Sequence, residues 1–383
     1  MKINWWPTKK LGEVAEIRMG ETLIKKDLTG DGAPVYSADS LEKPWGFTSK
    51  NKLKFTKGAI IVGARGTLGS LKLPSDPQFT STQTTIIIKP RQEIVNSSFL
   101  FYYLKTINLK DFRGGSGIPM LTVNLLNNLK IFFPHLPIQQ KIVYILDTIQ
   151  EAINLQEKII EKTKELKKSM MADLFKYGGP SFRKGRKLKK TEIGEIPEDW
   201  EVVRLGEIVR IFDNKRIPLS EEQRQKMKGE YPYCGANGII DYINDYIFDG
   251  EYLLLAEDGG YWGPFQQSAY IMKEKFWVNN HAHVFRSLKE KAENFYLMNV
   301  LNYMDLSNYI GGATRGKLNQ AIMKQILLHL PSPPEQREIA EILQTIDQKI
   351  ELEEKKKALY EELFKAMLNK LMSGEIDVEN INF

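Results

Sequence analysis

Two stretches of this chain keep their apolar residues at alternating steps of four and three. From Ile142 the walk passes Leu146, Ile149, Ile153, Gln156, Ile160, Thr163, Lys167, Met170 and Leu174, and seven of these ten positions are apolar. From Ile339 it passes Leu343, Ile346, Ile350, Glu353, Lys357, Tyr360, Phe364, Met367 and Leu371, with eight of ten apolar when Tyr360 is counted. An apolar stripe of this period on a charged background is the seam of a coiled-coil type of helix. Pro137 and the pair Pro333-Pro334 stand just ahead of the two stretches, where proline opens a helix. The pattern predicts a central spacer helix over 139–175 and a distal one over 336–373. At 1.5 Å per residue each spans roughly 54 Å.

Two seams in one chain are most simply buried against each other. An antiparallel pair needs only a short turn and is the expected arrangement, with a module at each end and a pseudo-twofold axis between them. A parallel pair would send the intervening segment back along the bundle, and its 24 residues (176–199) could reach ~80 Å when extended. A third arrangement packs each helix only on its own module.

The seams belong to a longer internal repeat. Pro134, Pro137, Gln139, Ile142, Ile145, Leu146, Thr148, Ile149 and Ile153 recur 197 residues later as Pro331, Pro334, Gln336, Ile339, Ile342, Leu343, Thr345, Ile346 and Ile350. Trp6, Leu11, Gly12, Glu13 and Ile17 recur at an offset of 194 as Trp200, Leu205, Gly206, Glu207 and Ile211. The ends of the repeating unit match and its middle does not. The expected organisation is a first module over 1–138, the central helix, a basic linker over 176–199, a second module over 200–335, the distal helix and a tail over 374–383. Within the modules, the apolar runs 57–63, 84–88 and 252–255 read as short buried strands between turn residues. The runs 99–104 and 295–301 read as short helices, so the fold class is α+β.

Composition narrows the setting. A length of 383 residues suits two or three domains. No apolar run is long enough to span a membrane, and Pro7 followed by charge argues against a secretory leader. The single cysteine, Cys234, allows no internal disulfide and suits a reducing, cytoplasmic setting. The net charge of +6 is uneven: residues 1–138 carry 19 Lys/Arg against 10 Asp/Glu, while 200–335 carry 15 against 17. The first module therefore reads as a polyanion binder, and any basic face on the second must be local. The linker run from Arg183 to Lys190 is either a solvated face or a phosphate contact.

Candidate chemistry sits in loops. Gly311 to Leu318 fits a phosphate-binding loop except that Leu318 replaces the hydroxyl residue that holds magnesium, which argues against nucleotide binding. A glycine-rich loop that shows Arg315 and Lys317 to a nucleic-acid backbone fits better, with Arg113 and Ser116 in the first module's counterpart. After one predicted strand the first module presents Arg65, and the second presents Glu257, Asp258, Tyr261 and Trp262. Arginine is the usual reader of guanine, acids accept from cytosine N4, and aromatics stack or wedge. These stretches also read as tight turns with incidental side chains. His281 and His283 would share one strand face, but a metal needs a third ligand, so His281 is expected as a surface hydrogen bonder. Ser81, Thr82 and Gln83 take the equivalent place in the first module, where Gln83 can read adenine. No tetrapeptide of the amino-methyltransferase type and no familiar nuclease motif is present.

The whole chain resembles the specificity subunit of type I restriction–modification systems. The resemblance rests on Thr191 to Glu207 with its echo Trp6 to Glu13, on Gly114 to Leu121 followed by Pro134, Pro137, Gln139 and Gln140, on Asn280 to His283, and on Pro333 to Arg337. It implies two target-recognition domains that each read half of a bipartite DNA sequence, with the paired helices as the ruler between them. It implies two modification subunits, which bind S-adenosylmethionine and methylate adenine, and restriction subunits that use ATP and magnesium. This chain would then hold no catalytic residue and no cofactor. The Gly311 loop departs from the family pattern of the first module's loop. The alternative is a non-catalytic two-module scaffold for RNA or proteins.

Overall fold

The computed structural model describes residues 6–112, 119–311 and 316–381. The chain divides into two compact units, 1–156 with 356–383 and 157–355. Each unit takes one module and half of each long helix, so the compact units cut across contiguous segments of sequence.

The long helices run Leu136–Tyr177 and Pro333–Met372, 42 and 40 residues. Both begin a few residues earlier than the periodicity predicts, because first-turn N–H groups make no intrahelical bond and proline is tolerated there. Ile142, Leu146, Ile153, Ile160, Ile339 and Leu343 are buried, and Ile149, Ile346, Ile350 and Phe364 are half-buried. In the first unit Ile142 and Leu146 share a core with Leu368, Leu371 and Met372. In the second, Met171, Leu174 and Phe175 share one with Ile339, Ala340 and Leu343. Within each unit the start of one helix therefore lies with the end of the other, which is antiparallel pairing. Lys167–Asp347 and Lys164–Glu354, both 2.6 Å, flank the seam in the second unit.

The middles of the two modules share little sequence and one topology. The first module has a sheet in the order Ala15–Met19, Thr85–Pro90, Ile60–Gly63, Leu71–Lys72, and another in the order Gly46–Thr48, Ala33–Tyr36, Gln78–Ser81, Phe55–Thr56. The second repeats both orders with Val209–Ile211, Ala282–Ser287, Tyr252–Ala256, Ala269–Met272, and with Gly238–Ile243, Lys228–Gly235, Lys275–Val278, Phe248–Asp249. The second-named sheet of each module contains one parallel strand pair, with Val35 opposite Thr80 and Tyr233 opposite Trp277.

The unbroken apolar runs follow from burial on both faces. Ile60, Val62, Ile86 and Ile88 face the core shared with the long helices, while Ile61 and Ile87 face the other sheet. In the second module Leu253 and Leu255 point one way and Tyr252 and Leu254 the other.

The identities near the helix starts have a structural cause. Buried Gln139 accepts from the Asn96 N–H at 2.8 Å and donates to the Ile94 and Pro134 carbonyls. Buried Gln336 accepts from the Glu293 N–H at 3.0 Å and donates to the Lys291 and Pro331 carbonyls. Asn96 and Glu293 cap the helices Ser97–Lys105 and Asn294–Tyr303. One glutamine thus ties each long helix to the cap of its module's short helix.

Two segments read as linker and tail are more ordered than that. The linker holds a hairpin, Leu188–Thr191 with Gly194–Pro197. In the tail Val378 is buried in the first core, and Ile376 and Ile381 pack against it. No helix among the described residues is long and apolar enough to cross a membrane.

Candidate nucleic-acid interface

Three segments meet at one edge of each module, held by the same backbone bonds. In the first, Ala64 N–H donates to the Thr84 carbonyl and Leu121 N–H to the Ala64 carbonyl, at 2.8 and 3.1 Å. In the second, Glu257 N–H donates to the His281 carbonyl and Leu318 N–H to the Glu257 carbonyl, at 2.8 and 2.7 Å. The loop after Ile60–Gly63 or Tyr252–Ala256, the turn before Thr85–Pro90 or Ala282–Ser287, and the end of the glycine-rich loop converge in both. Gly66 and Gly259, at φ 77° and 64°, turn the chain just beyond the junction, a conformation open to glycine at no steric cost.

In the first module Arg65 is exposed, and its Nη2 donates to Met120 Sδ at 3.7 Å. Gln83 is exposed and accepts from the Thr22 hydroxyl at 3.0 Å. Thr82 is not a surface reader. It is buried, with its hydroxyl 2.7 Å from that of Thr84. Arg113 and Ser116 lie outside the described residues.

In the second module the junction covers a buried polar network. Glu257, expected as an open acceptor, is instead held by Arg216 at 2.6 Å and Lys317 at 2.9 Å. His283, only 1% exposed, faces the Asp213 carboxylate with Nδ1 and the Leu318 carbonyl with Nε2, both at 2.7 Å. Gln320 donates to the same Asp213 carboxylate at 2.8 Å. Burial pushes the Asp213 carboxyl up, but the hydrogen bond and charge of His283, with Gln320 and the Val284 N–H, leave it below the usual range. Burial likewise raises Glu257, and Arg216 and Lys317 outweigh it. Asp213, Glu257 and His283 bring their ligand-type atoms within 4.8 Å of one another. Arg216 and Lys317 already supply the positive charge there, so the group reads as a compensated ion network.

The expected pairing of the two histidines on one strand face does not hold. The strand begins at Ala282, and His281 lies in the turn before it, 39% exposed, with Nδ1 2.7 Å from Asp258 Oδ1. Tyr261 is exposed. Trp262 is half-buried, with part of its side chain packed against the module's core. Arg315 lies outside the described residues, and Lys317 is half-exposed beside Glu257. Leu318, the residue that breaks the nucleotide-loop pattern, is buried, and the helix that follows is the four-residue Gln320–Met323.

Asp213, Arg216 and Gln320 were not legible as site residues, because 70 residues separate Asp213 from His283. Also missed were hairpins beside each junction. Ala38 accepts from the Thr67 N–H at 3.1 Å, and Asn237 donates to the Gly259 carbonyl at 2.9 Å. Strand pairing places exposed Phe47 opposite Pro34 and exposed Tyr242 opposite Pro232. The shared Pro-aromatic context was the available signal. The basic linker run is partly consumed internally, with Arg183 on Asp173 and Arg186 on Asp199 and Glu335.

The family model for the type I restriction modification DNA specificity domain matches residues 4–165 and 197–362. The chain is similar to the type I restriction enzyme MjaVIII specificity subunit of Methanocaldococcus jannaschii, 31% identical over 349 residues, covering 85% of this chain and 78% of that one. The MjaIX specificity subunit of the same organism is 25% identical over 418 residues, covering 98% and 94%. The crystal structure of a type I restriction–modification S subunit from M. genitalium matches the fold with a TM-score of 0.67 at 19% identity, covering 97% of this chain and 98% of that one.

Proposed function

This chain belongs to the type I restriction–modification DNA specificity family, and on that premise we propose that it is the DNA-recognition subunit of such a complex. Each module reads one half of a bipartite duplex target, and the antiparallel helices set the unread gap. The observation that carries this is the junction built twice on one backbone plan with different side chains. Arg65 and Gln83 are displayed in the first module; His281 and Lys317 are displayed in the second, with Asp258 turned onto His281. A shared scaffold with divergent tips is what two halves of an asymmetric site require, since base edges are read by side chains and phosphates by backbone and cations.

The chain contributes recognition and no catalytic group. Two modification subunits supply S-adenosylmethionine and the methyl transfer, and restriction subunits supply ATP- and magnesium-dependent cleavage, in the cytoplasm where the DNA is. Selection from a randomised duplex library by the full chain tests the reading. The expected result is two short specified tracts separated by a fixed unspecified gap, with single-stranded RNA a poor competitor. A single tract, or equal competition by RNA, contradicts it.

A further inference from the structure

The junction places Arg65 and Asp258 at the same point of the two modules. Each directly follows the residue whose N–H and carbonyl make the repeated bonds, and each precedes the glycine that turns the chain. Arginine brings five donors to that point, and an aspartate brings only acceptors. The Asp258 carboxylate is 13% exposed and turned onto His281, which is 39% exposed. A carboxylate beside a DNA phosphate meets like charge, so this point is poorly made for backbone contact.

The contact between the two residues fixes the ring. With Nδ1 2.7 Å from Asp258 Oδ1, the carboxylate takes the Nδ1 proton as its hydrogen-bond partner. In the neutral imidazole Nε2 is then the accepting nitrogen. The Asn279 side chain accepts from the His281 N–H at 2.8 Å and holds the backbone of the same turn. In the major groove the only hydrogen-bond donors are adenine N6 and cytosine N4.

We propose that Asp258 and His281 are the base-reading pair of the second module: Asp258 is a positioning residue that orients the imidazole, and His281 reads a base amino group through Nε2. The two modules thus use opposite hydrogen-bonding polarity at equivalent junctions, an arginine donor on the loop after the strand in the first and an imidazole acceptor on the neighbouring turn in the second. This rests on the DNA-recognition reading above and names the base class that one of its loops takes.

The test is duplex-library selection with the full chain, comparing wild type, His281→Ala and Asp258→Asn, with thermal midpoints recorded for each. Wild type is expected to prefer adenine or cytosine over guanine or thymine at one position of one half-site by roughly tenfold, the scale of a single mismatch. His281→Ala is expected to erase that preference at that position and leave the other half-site intact. In Asp258→Asn the amide N–H can donate to Nδ1, which moves the ring proton to Nε2 and turns the reader into a donor. The preference at that position is expected to swing towards guanine or thymine with the thermal midpoint unchanged. An even loss of affinity for all sequences in His281→Ala, or an unaltered preference in Asp258→Asn, overturns the proposal. A wild-type chain with no two-part preference overturns the reading on which it rests, and the pair with it.

Discussion

Arg186 and Glu335 form a nearly buried two-pronged ion pair, with Nη1 2.5 Å from Oε1 and Nη2 2.8 Å from Oε2. Glu335 sits in the first turn of the second long helix, and Arg186 in the segment that follows the first. The same carboxylate accepts from the Trp200 indole N–H and the Gly179 N–H, both at 3.0 Å. One side chain thereby ties the linker, the start of the second module and the helix that carries it.

Removing the Glu335 charge leaves the nearly buried Arg186 guanidinium with the exposed Asp199 carboxylate as its remaining ion-pair partner. Glu335→Gln is expected to destabilise the second unit by about 3–5 kcal/mol. Urea denaturation followed by near-ultraviolet circular dichroism reads this directly. A loss under about 1 kcal/mol, the range of exposed pairs, contradicts the clasp.

His329 predicts an acid-sensitive fold. It lies buried among Trp200, Phe175 and Tyr296, and burial holds its pKa down at about 4 against an ordinary 6.5. The folded chain keeps the ring neutral, while the unfolded chain protonates it first as pH falls. The stabilisation is therefore complete above pH 6.5 and drains away between 6.5 and about 4, by on the order of 3 kcal/mol. Comparing unfolding free energies of wild type and His329→Gln at pH 7.5 and 5 isolates this contribution, and the variant is expected to lose its share of the slope.

Arg65 is the exposed cation of the first junction. Arg65→Ala is expected to relax one position of one half-site and weaken binding to the full target by about 1–3 kcal/mol, the range of a base-reading arginine. Affinity measured at several salt concentrations separates the two roles. A uniform loss across sequences with a shallower salt slope marks a phosphate contact instead.

The helical frame was legible because its signal is local and periodic: the step from Ile142 to Leu174 needs only the spacing of apolar residues. The strands were legible as runs because both sheet faces are buried, as at Ile60 to Val62. The junction was half legible. Arg65 and Gln83 are exposed, whereas Thr82 and Trp262 turn inward, since the turn chemistry that exposes a loop does not say which of its side chains the core claims. Glu257 was misread for a different reason. Its cations, Arg216 and Lys317, come from 41 residues before it and 60 after it, and no local pattern announces them. Arg186 shows the converse, a basic run whose second arginine is an internal strut.

The most direct test of the account is to shorten the ruler and read the gap. Deleting 153–159 and 350–356 removes seven residues from each long helix and keeps the four-three order of both seams. At 1.5 Å per residue the helices lose roughly 10 Å, which is about three base pairs of duplex. Library selection with the shortened chain is expected to return both half-sites unchanged with the gap reduced by about three base pairs. An unchanged gap, or altered half-sites in a chain that still binds, would contradict the claim that the helices set the spacing and the modules read the ends.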